Sequence, residues 1–123
     1  MIGKRLDGRI IAQQIRNELV NDVSFLRETH DVTPGLAVVL VGNNPASLSY
    51  VNAKTDACKK LGVKSLQLNF DEETDTSSIL DEIETLNMNP DIHGILVQLP
   101  LPNQREDQVI NRILPEKDVD GLH

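Results

Sequence analysis

The sequence predicts an α/β domain, three layers thick, in which helices flank a mostly parallel, buried sheet. Three observations carry that prediction. Two aliphatic runs, at 36–41 and over 92–99, read as strands covered on both faces. Segments with helical spacing of apolar residues lie between and around them. The order α-β-α-β-α-β-α is the one that crossover helices and a parallel sheet produce.

Residues 8–29 place Ile11, Ile15, Leu19, Val23 and Leu26 at helical spacing, and Thr33-Pro34-Gly35 ends that helix. Leu36 to Val41 is the first strand, closed by Gly42. After the loop Asn43-Asn44-Pro45, Ser47 is the expected N-cap of a helix that runs to Leu61 and stops at Gly62. Val63 to Phe70 alternates imperfectly and reads as a strand near the sheet edge. An acidic loop leads to a helix over 76–87, with Ile79, Ile83 and Leu86 inward and Asn89-Pro90 as its end. Ile92 to Leu99 is the next buried strand. It runs into Leu99-Pro100-Leu101-Pro102, which cannot continue a ladder. One of the two X-Pro peptides there is expected to be cis, because X-Pro bonds have only a small trans preference. A helix over 104–113 carries Val109, Ile110 and Ile113, and 115–123 reads as a loop.

The 123 residues are the size of one domain, 1–123, and need no disulfide or metal staple to form a core. One cysteine excludes an internal disulfide, and Cys58 falls on an inward helix face as a small core residue. The opening MIGKRLDG lacks an apolar h-region or an Arg/Ser-rich presequence, and no apolar run reaches membrane-spanning length. The expectation is a cytoplasmic protein with no membrane partner. The net charge is −7, and the stretch 71–91, with eight acidic residues and no basic one, accounts for it. That stretch reads as a solvated loop and helix face. Without a basic patch bearing aromatic residues, nucleic acid is not an expected partner. His30, His93 and His123 share no ligand spacing, so no metal is expected.

Candidate chemistry lies where the binary pattern breaks. On a helical wheel, Ser49, Asn52, Thr55, Asp56, Lys59 and Lys60 fall in one half of the second helix. Tyr50, Val51, Ala53, Ala57, Cys58 and Leu61 fall on or near the other half, and Lys54 lies among them, one turn after Tyr50. Such violations cluster at functional sites. Poor solvation disfavours the charged ammonium, which suits a lysine for taking and giving protons; the competing reading is a lysine that snorkels to water. Gln98 is a second break, a polar side chain at the carboxyl end of an aliphatic strand. In open α/β sheets the ligand crevice lies at that end. Lys54 and Gln98 are therefore expected on one crevice wall, within hydrogen-bond reach directly or through one water. Asp120-Gly121 is turn chemistry on its own. Gly42-Asn43-Asn44-Pro45 matches neither G-x-G-x-x-G nor the P-loop.

Four segments together resemble one family. They are Gly3-Lys4-x-Leu6-Asp7-Gly8, Ser47-x-x-Tyr50-Val51-x-x-Lys54, Gly94-Ile95-Leu96-Val97-Gln98-Leu99-Pro100-Leu101-Pro102, and Pro115-x-Lys117-Asp118-Val119-Asp120-Gly121. The family is the bifunctional methylenetetrahydrofolate dehydrogenase/methenyltetrahydrofolate cyclohydrolase, and the likeness covers essentially the whole chain. The resemblance implies an amino-acid-dehydrogenase-like N-terminal domain that binds tetrahydrofolate derivatives. It implies catalytic roles for Lys54, Gln98 and Asp120: Lys54 as the catalytic lysine, Gln98 holding and tuning it, and Asp120 bonding the pterin head. It implies a folate site lined by Tyr50, Val51, Lys54, Val97, Gln98, Leu99, Pro102 and Asp120, with Tyr50 stacking on the folate rings. The implied chemistry is NADP-dependent oxidation of 5,10-methylenetetrahydrofolate, then hydrolysis of the methenyl product to 10-formyltetrahydrofolate. That places the family in one-carbon metabolism that serves purine biosynthesis. NADP is implied to bind a second, Rossmann domain, and the full-length enzymes to be homodimers. With no dinucleotide fingerprint here, 1–123 is expected to be the folate-binding domain alone, with no cofactor-binding residues and no dehydrogenase activity by itself. Two other readings stay open: a folate-binding module without turnover, and a dehydrogenase-only relative in which the lysine contributes little.

Overall fold

The structure is a computed structural model and describes residues 34–119. The helix expected over 8–29 lies outside the described residues, as does Asp120. Within them the order is β1 (Gly35–Val41), α1 (Pro45–Leu61), β2 (Lys64–Phe70), α2 (Thr76–Met88), β3 (Gly94–Val97) and α3 (Glu106–Arg112), then a 3-10 turn at Pro115–Lys117. The strands form a parallel sheet in the order β2-β1-β3.

The unbroken aliphatic run of β1 takes the centre because all seven of its residues are buried. Leu36, Val38 and Leu40 face one side and pack with Val51 and Cys58 of α1, Val63, Leu96 and Val119. Ala37, Val39 and Val41 face the other and pack with Ile79, Ile83 and Leu86 of α2 and with Val109, Ile110 and Ile113 at α3. The period-two alternation of a strand thus feeds two helical layers at once, and the three-layer α/β expectation holds. β2 is an edge strand of mixed burial, as its imperfect alternation suggested.

Several boundaries differ from the sequence reading. The N-cap of α1 is Asn44, not Ser47: the Asn44 Oδ1 accepts from Ala46 N–H at 2.9 Å and Ser47 N–H at 3.2 Å, with Pro45 in the first turn. Pro tolerates the first helical position because its missing N–H would be unpaired there. Gly62 does end the helix, with φ of 80° and Val63 N–H donating to Cys58 O at 2.8 Å. β3 is four residues, shorter than the apolar run over 92–99. His93 N–H and Gln98 N–H still bond β1 on either side of it. The Leu99-Pro100 peptide is cis. α3 covers 106–112, not 104–113, because Gln104 turns to bond the loop after β2 and Arg105 to bond Thr76 at the start of α2. In the tail expected to be a loop, the 3-10 turn leads to a bridge between Asp118 and Ile95.

The start of β1 is held by the chain entering β3. A Cβ on Gly35 would collide with the Asp91 carbonyl oxygen, so this position admits no larger residue. Gly35 N–H donates to the His93 Nδ1 at 3.0 Å, which requires that nitrogen to be unprotonated. Burial and the Lys117 charge push the His93 pKa below its usual value, against the pull of Asp91. Folded His93 therefore holds its proton less tightly than unfolded His93. Its contribution to stability is full above the unfolded value of 6.5 and is lost as pH falls through the lower folded value. Urea midpoints are expected to drop between pH 7.5 and pH 5 (about the unfolded histidine range). His93→Asn, whose carbonyl can accept from Gly35 without titrating, is expected to show a shallower drop. An equal drop in both proteins would show that His93 is not the titrating group.

Candidate active site

The buried stripe of α1 runs Ser47, Val51, Cys58, at 5%, 0% and 0% exposure. Lys54 falls on that stripe, three residues after Val51 and four before Cys58, and is half-buried. The wheel was right about Lys54 and wrong about two companions, because Tyr50 is 62% exposed and Ala53 is exposed. The true buried arc is narrower than the apolar arc.

Gln98 follows β3 directly and is 9% exposed. Its Oε1 accepts from the Lys54 Nζ at 2.8 Å, and its Nε2 donates to Leu99 O at 3.1 Å. The expected contact is direct. The Leu99 carbonyl matters to it, since occupying the amide NH₂ leaves the carbonyl end of Gln98 to face the ammonium. A buried amide is thereby satisfied at both ends, one of them by the Lys54 ammonium.

The other expected site residues divide. Tyr50 stands one turn before Lys54 with its ring open to solvent. The side chains of Val51 and Val97 are buried in the core, so neither offers side-chain surface to a ligand. Leu99 is half-buried, and Pro102 is exposed. Pro102 lines a cleft of about 300 Å³ together with Pro100, Glu72 and the Val41–Asn44 turn. This cleft lies at the carboxyl ends of β1 and β3, on the same end of the sheet as Gln98, where ligands of open α/β sheets bind.

The β1–α1 turn does not fit a dinucleotide phosphate. At the β1–α1 turn, Asn44 already occupies the Ala46 and Ser47 amides, Pro45 has no N–H, and Glu72 brings a carboxylate to the cleft. Among the described residues no group of three or more His, Cys, Asp or Glu could hold a metal ion. No helix among them is long and apolar enough to cross a membrane. The burial of Cys58 pushes its thiol up to about 11, which keeps it protonated and inert.

Sequence reasoning missed a set of buried polar residues. Lys117 is 9% exposed, and its Nζ donates to the carbonyls of Leu86, Asn87 and Asn89 at 3.0, 2.8 and 2.9 Å. α2 has no basic residue in its own last turn, so Lys117 supplies the cation that the end of a helix favours. Asn87 joins the ends of α2 and α3, through Arg112 O and Leu114 N–H. Gln104 and Glu106 hold the chain after β3. Lys117 lay inside a recognised motif, but its neighbours in space come from residues about thirty positions away, which no local pattern encodes.

The profile for the catalytic domain of tetrahydrofolate dehydrogenase/cyclohydrolase matches residues 6–120. The bifunctional protein FolD of Halalkalibacterium halodurans is 51% identical over 119 residues, covering 96% of this chain and 42% of its own length. A bifunctional FolD methylenetetrahydrofolate dehydrogenase/cyclohydrolase from Campylobacter jejuni superposes with a TM-score of 0.75 at 42% identity, over 95% of this chain and 42% of its own. The Trypanosoma brucei methylenetetrahydrofolate dehydrogenase-cyclohydrolase, solved with NADP cofactor and an inhibitor, gives 0.73 at 32% identity, over 94% of this chain and 39% of its own. The chain thus spans about two fifths of the length of these relatives.

Proposed function

The chain belongs to the tetrahydrofolate dehydrogenase/cyclohydrolase family, and from that premise we propose that it is the folate-handling catalytic domain of such an enzyme. The observation that carries the proposal is the Lys54–Gln98 contact at the carboxyl end of the sheet, with the exposed Tyr50 one helical turn before Lys54. The ring offers a flat apolar face to an aromatic ligand. The amine beside it can move protons.

The reaction assigned to these residues is hydrolysis of the 5,10-methenyl cation. Water adds to the cationic carbon and gives a carbinol. One proton must leave the oxygen and another must reach a ring nitrogen before that carbon–nitrogen bond breaks to 10-formyltetrahydrofolate. Lys54 carries the proton between those atoms, and the Gln98 Oε1 holds the ammonium in place. Asp120 and the backbone from Val97 to Leu99 are assigned to the pterin side, and Pro102 to the rim.

Formation of the methenyl cation from the methylene compound delivers a hydride to NADP. We place NADP binding in the part of the relatives' length that this chain does not span, since the β1–α1 turn does not fit it. The same proposal includes a homodimer, a cytoplasmic setting and supply of formyl groups for purine biosynthesis. Decay of the methenyl absorption on adding the native protein tests the reading. Saturable acceleration over buffer supports it, and decay at the buffer rate contradicts it.

A further inference from the structure

We propose that Gln104 is a positioning residue for this site, tying the loop after β2 to the loop after β3 across the carboxyl end of β1. This rests on the folate reading above and deepens it. β2 and β3 are not neighbours, since β1 lies between them. The loops that leave them can meet only by passing over the end of β1, where Gly42 turns the chain with φ of 85°. They do meet, and Gln104 makes the join.

Gln104 is 8% exposed. Its Nε2 donates to Glu72 O at 3.0 Å and Thr74 O at 2.6 Å, and its Oε1 accepts from Asn103 N–H at 3.0 Å. Asn103 Nδ2 also donates to Glu72 O at 3.0 Å, and Arg105 N–H donates to Thr76 Oγ1 at 3.2 Å. From the other side, the Glu106 carboxylate accepts from Leu101 N–H at 2.8 Å. The Pro100–Pro102 segment is therefore held at its middle residue by Glu106, and the chain just after it by Asn103 and Gln104. Its two prolines line the cleft together with Glu72 and the Val41–Asn44 turn. Leu99, which orients Gln98 toward Lys54, precedes that segment directly. Loops of this kind can be solvated independently. A buried amide that spends both its donors on the opposite loop fixes the width of the cleft and the base of the Lys54–Gln98 pair.

The test uses the native protein with Gln104→Met and Gln104→Asn, the second a polar variant too short to reach both carbonyls. Gln104→Lys keeps donors for the two carbonyls, as Lys117 does for three elsewhere. Two readouts are taken well below the melting temperature: KM and kcat for methenyl hydrolysis, and hydrogen exchange at the 71–76 amides. The expected result for Met and Asn is faster exchange at 71–76 and a KM raised roughly fivefold or more with kcat within about twofold. Gln104→Lys is expected to bring both values back toward parental. A loosened loop with a parental KM overturns the role of Gln104, as does a loss that only follows the melting temperature. A parental protein that neither hydrolyses the methenyl compound nor binds 5-formyltetrahydrofolate overturns the folate reading and this role with it.

Discussion

Lys54→Met is expected to slow methenyl hydrolysis by roughly 10²–10⁴-fold, the usual contribution of a positioned acid–base group, while the domain stays folded. Met has nearly the length of Lys and fits the stripe between Val51 and Cys58, both fully buried. The cost to the fold is one hydrogen bond to Gln98, about 1 kcal/mol. Binding of a reduced folate should persist, because the Tyr50 ring is untouched. Lys54→Arg sharpens the result. Arginine keeps the charge and the donors but does not release its proton at ordinary pH, so its hydrolysis rate should fall as far as that of Met. Steady-state rates of the two variants are the check. An Arg variant close to the parental rate would make Lys54 a fixed cation rather than a proton carrier.

Lys117→Met is expected to destabilise the domain by about 3 kcal/mol, within the range for breaking a buried charged network. The substitution removes the Nζ donor shared by the carbonyls of Leu86, Asn87 and Asn89 at the end of α2, and Leu86 and Asn89 keep only the backbone donors Asn89 N–H and Ile92 N–H. Burial lowers the Lys117 pKa, with Glu116 opposing, so desolvation of the ammonium already offsets part of what the three bonds contribute. Chemical denaturation gives the number directly. A midpoint within error of the parental protein would mean that water replaces the ammonium at no cost.

The contrast between these two lysines shows what the sequence could convey. Lys54 was legible because its position is periodic: three and four residues from buried neighbours, on a helix whose C-terminal stop was marked by Gly62. Gln98 was legible because a polar residue ended an apolar strand. The central strand was legible because both its faces are buried, which leaves a continuous apolar run. Lys117 has no such frame, since its partners lie at the end of α2 and on the 3-10 turn it has no helical face. The N-cap was misplaced because Ser47 and Asn44 are both good caps, and only the Asn44 side chain reaching back over Ala46 and Ser47 separates them. Val51 shows the limit of motif reasoning. It stands in the same motif as Tyr50 and Lys54, yet its side chain faces the sheet.

The central claim is that a reduced folate binds at the Lys54–Gln98 pair at the carboxyl end of the sheet, with Tyr50 one helical turn before Lys54. Titrating 5-formyltetrahydrofolate into the ¹⁵N-labelled protein and following backbone amides tests it most directly. The largest shifts should fall on Tyr50–Lys54 in α1 and on Val97–Leu99 after β3, with smaller ones at Gly42–Asn44 and little change along the exposed face of α2. Shifts centred on α2, or saturation of the protein without movement of the Tyr50–Lys54 amides, would contradict the account.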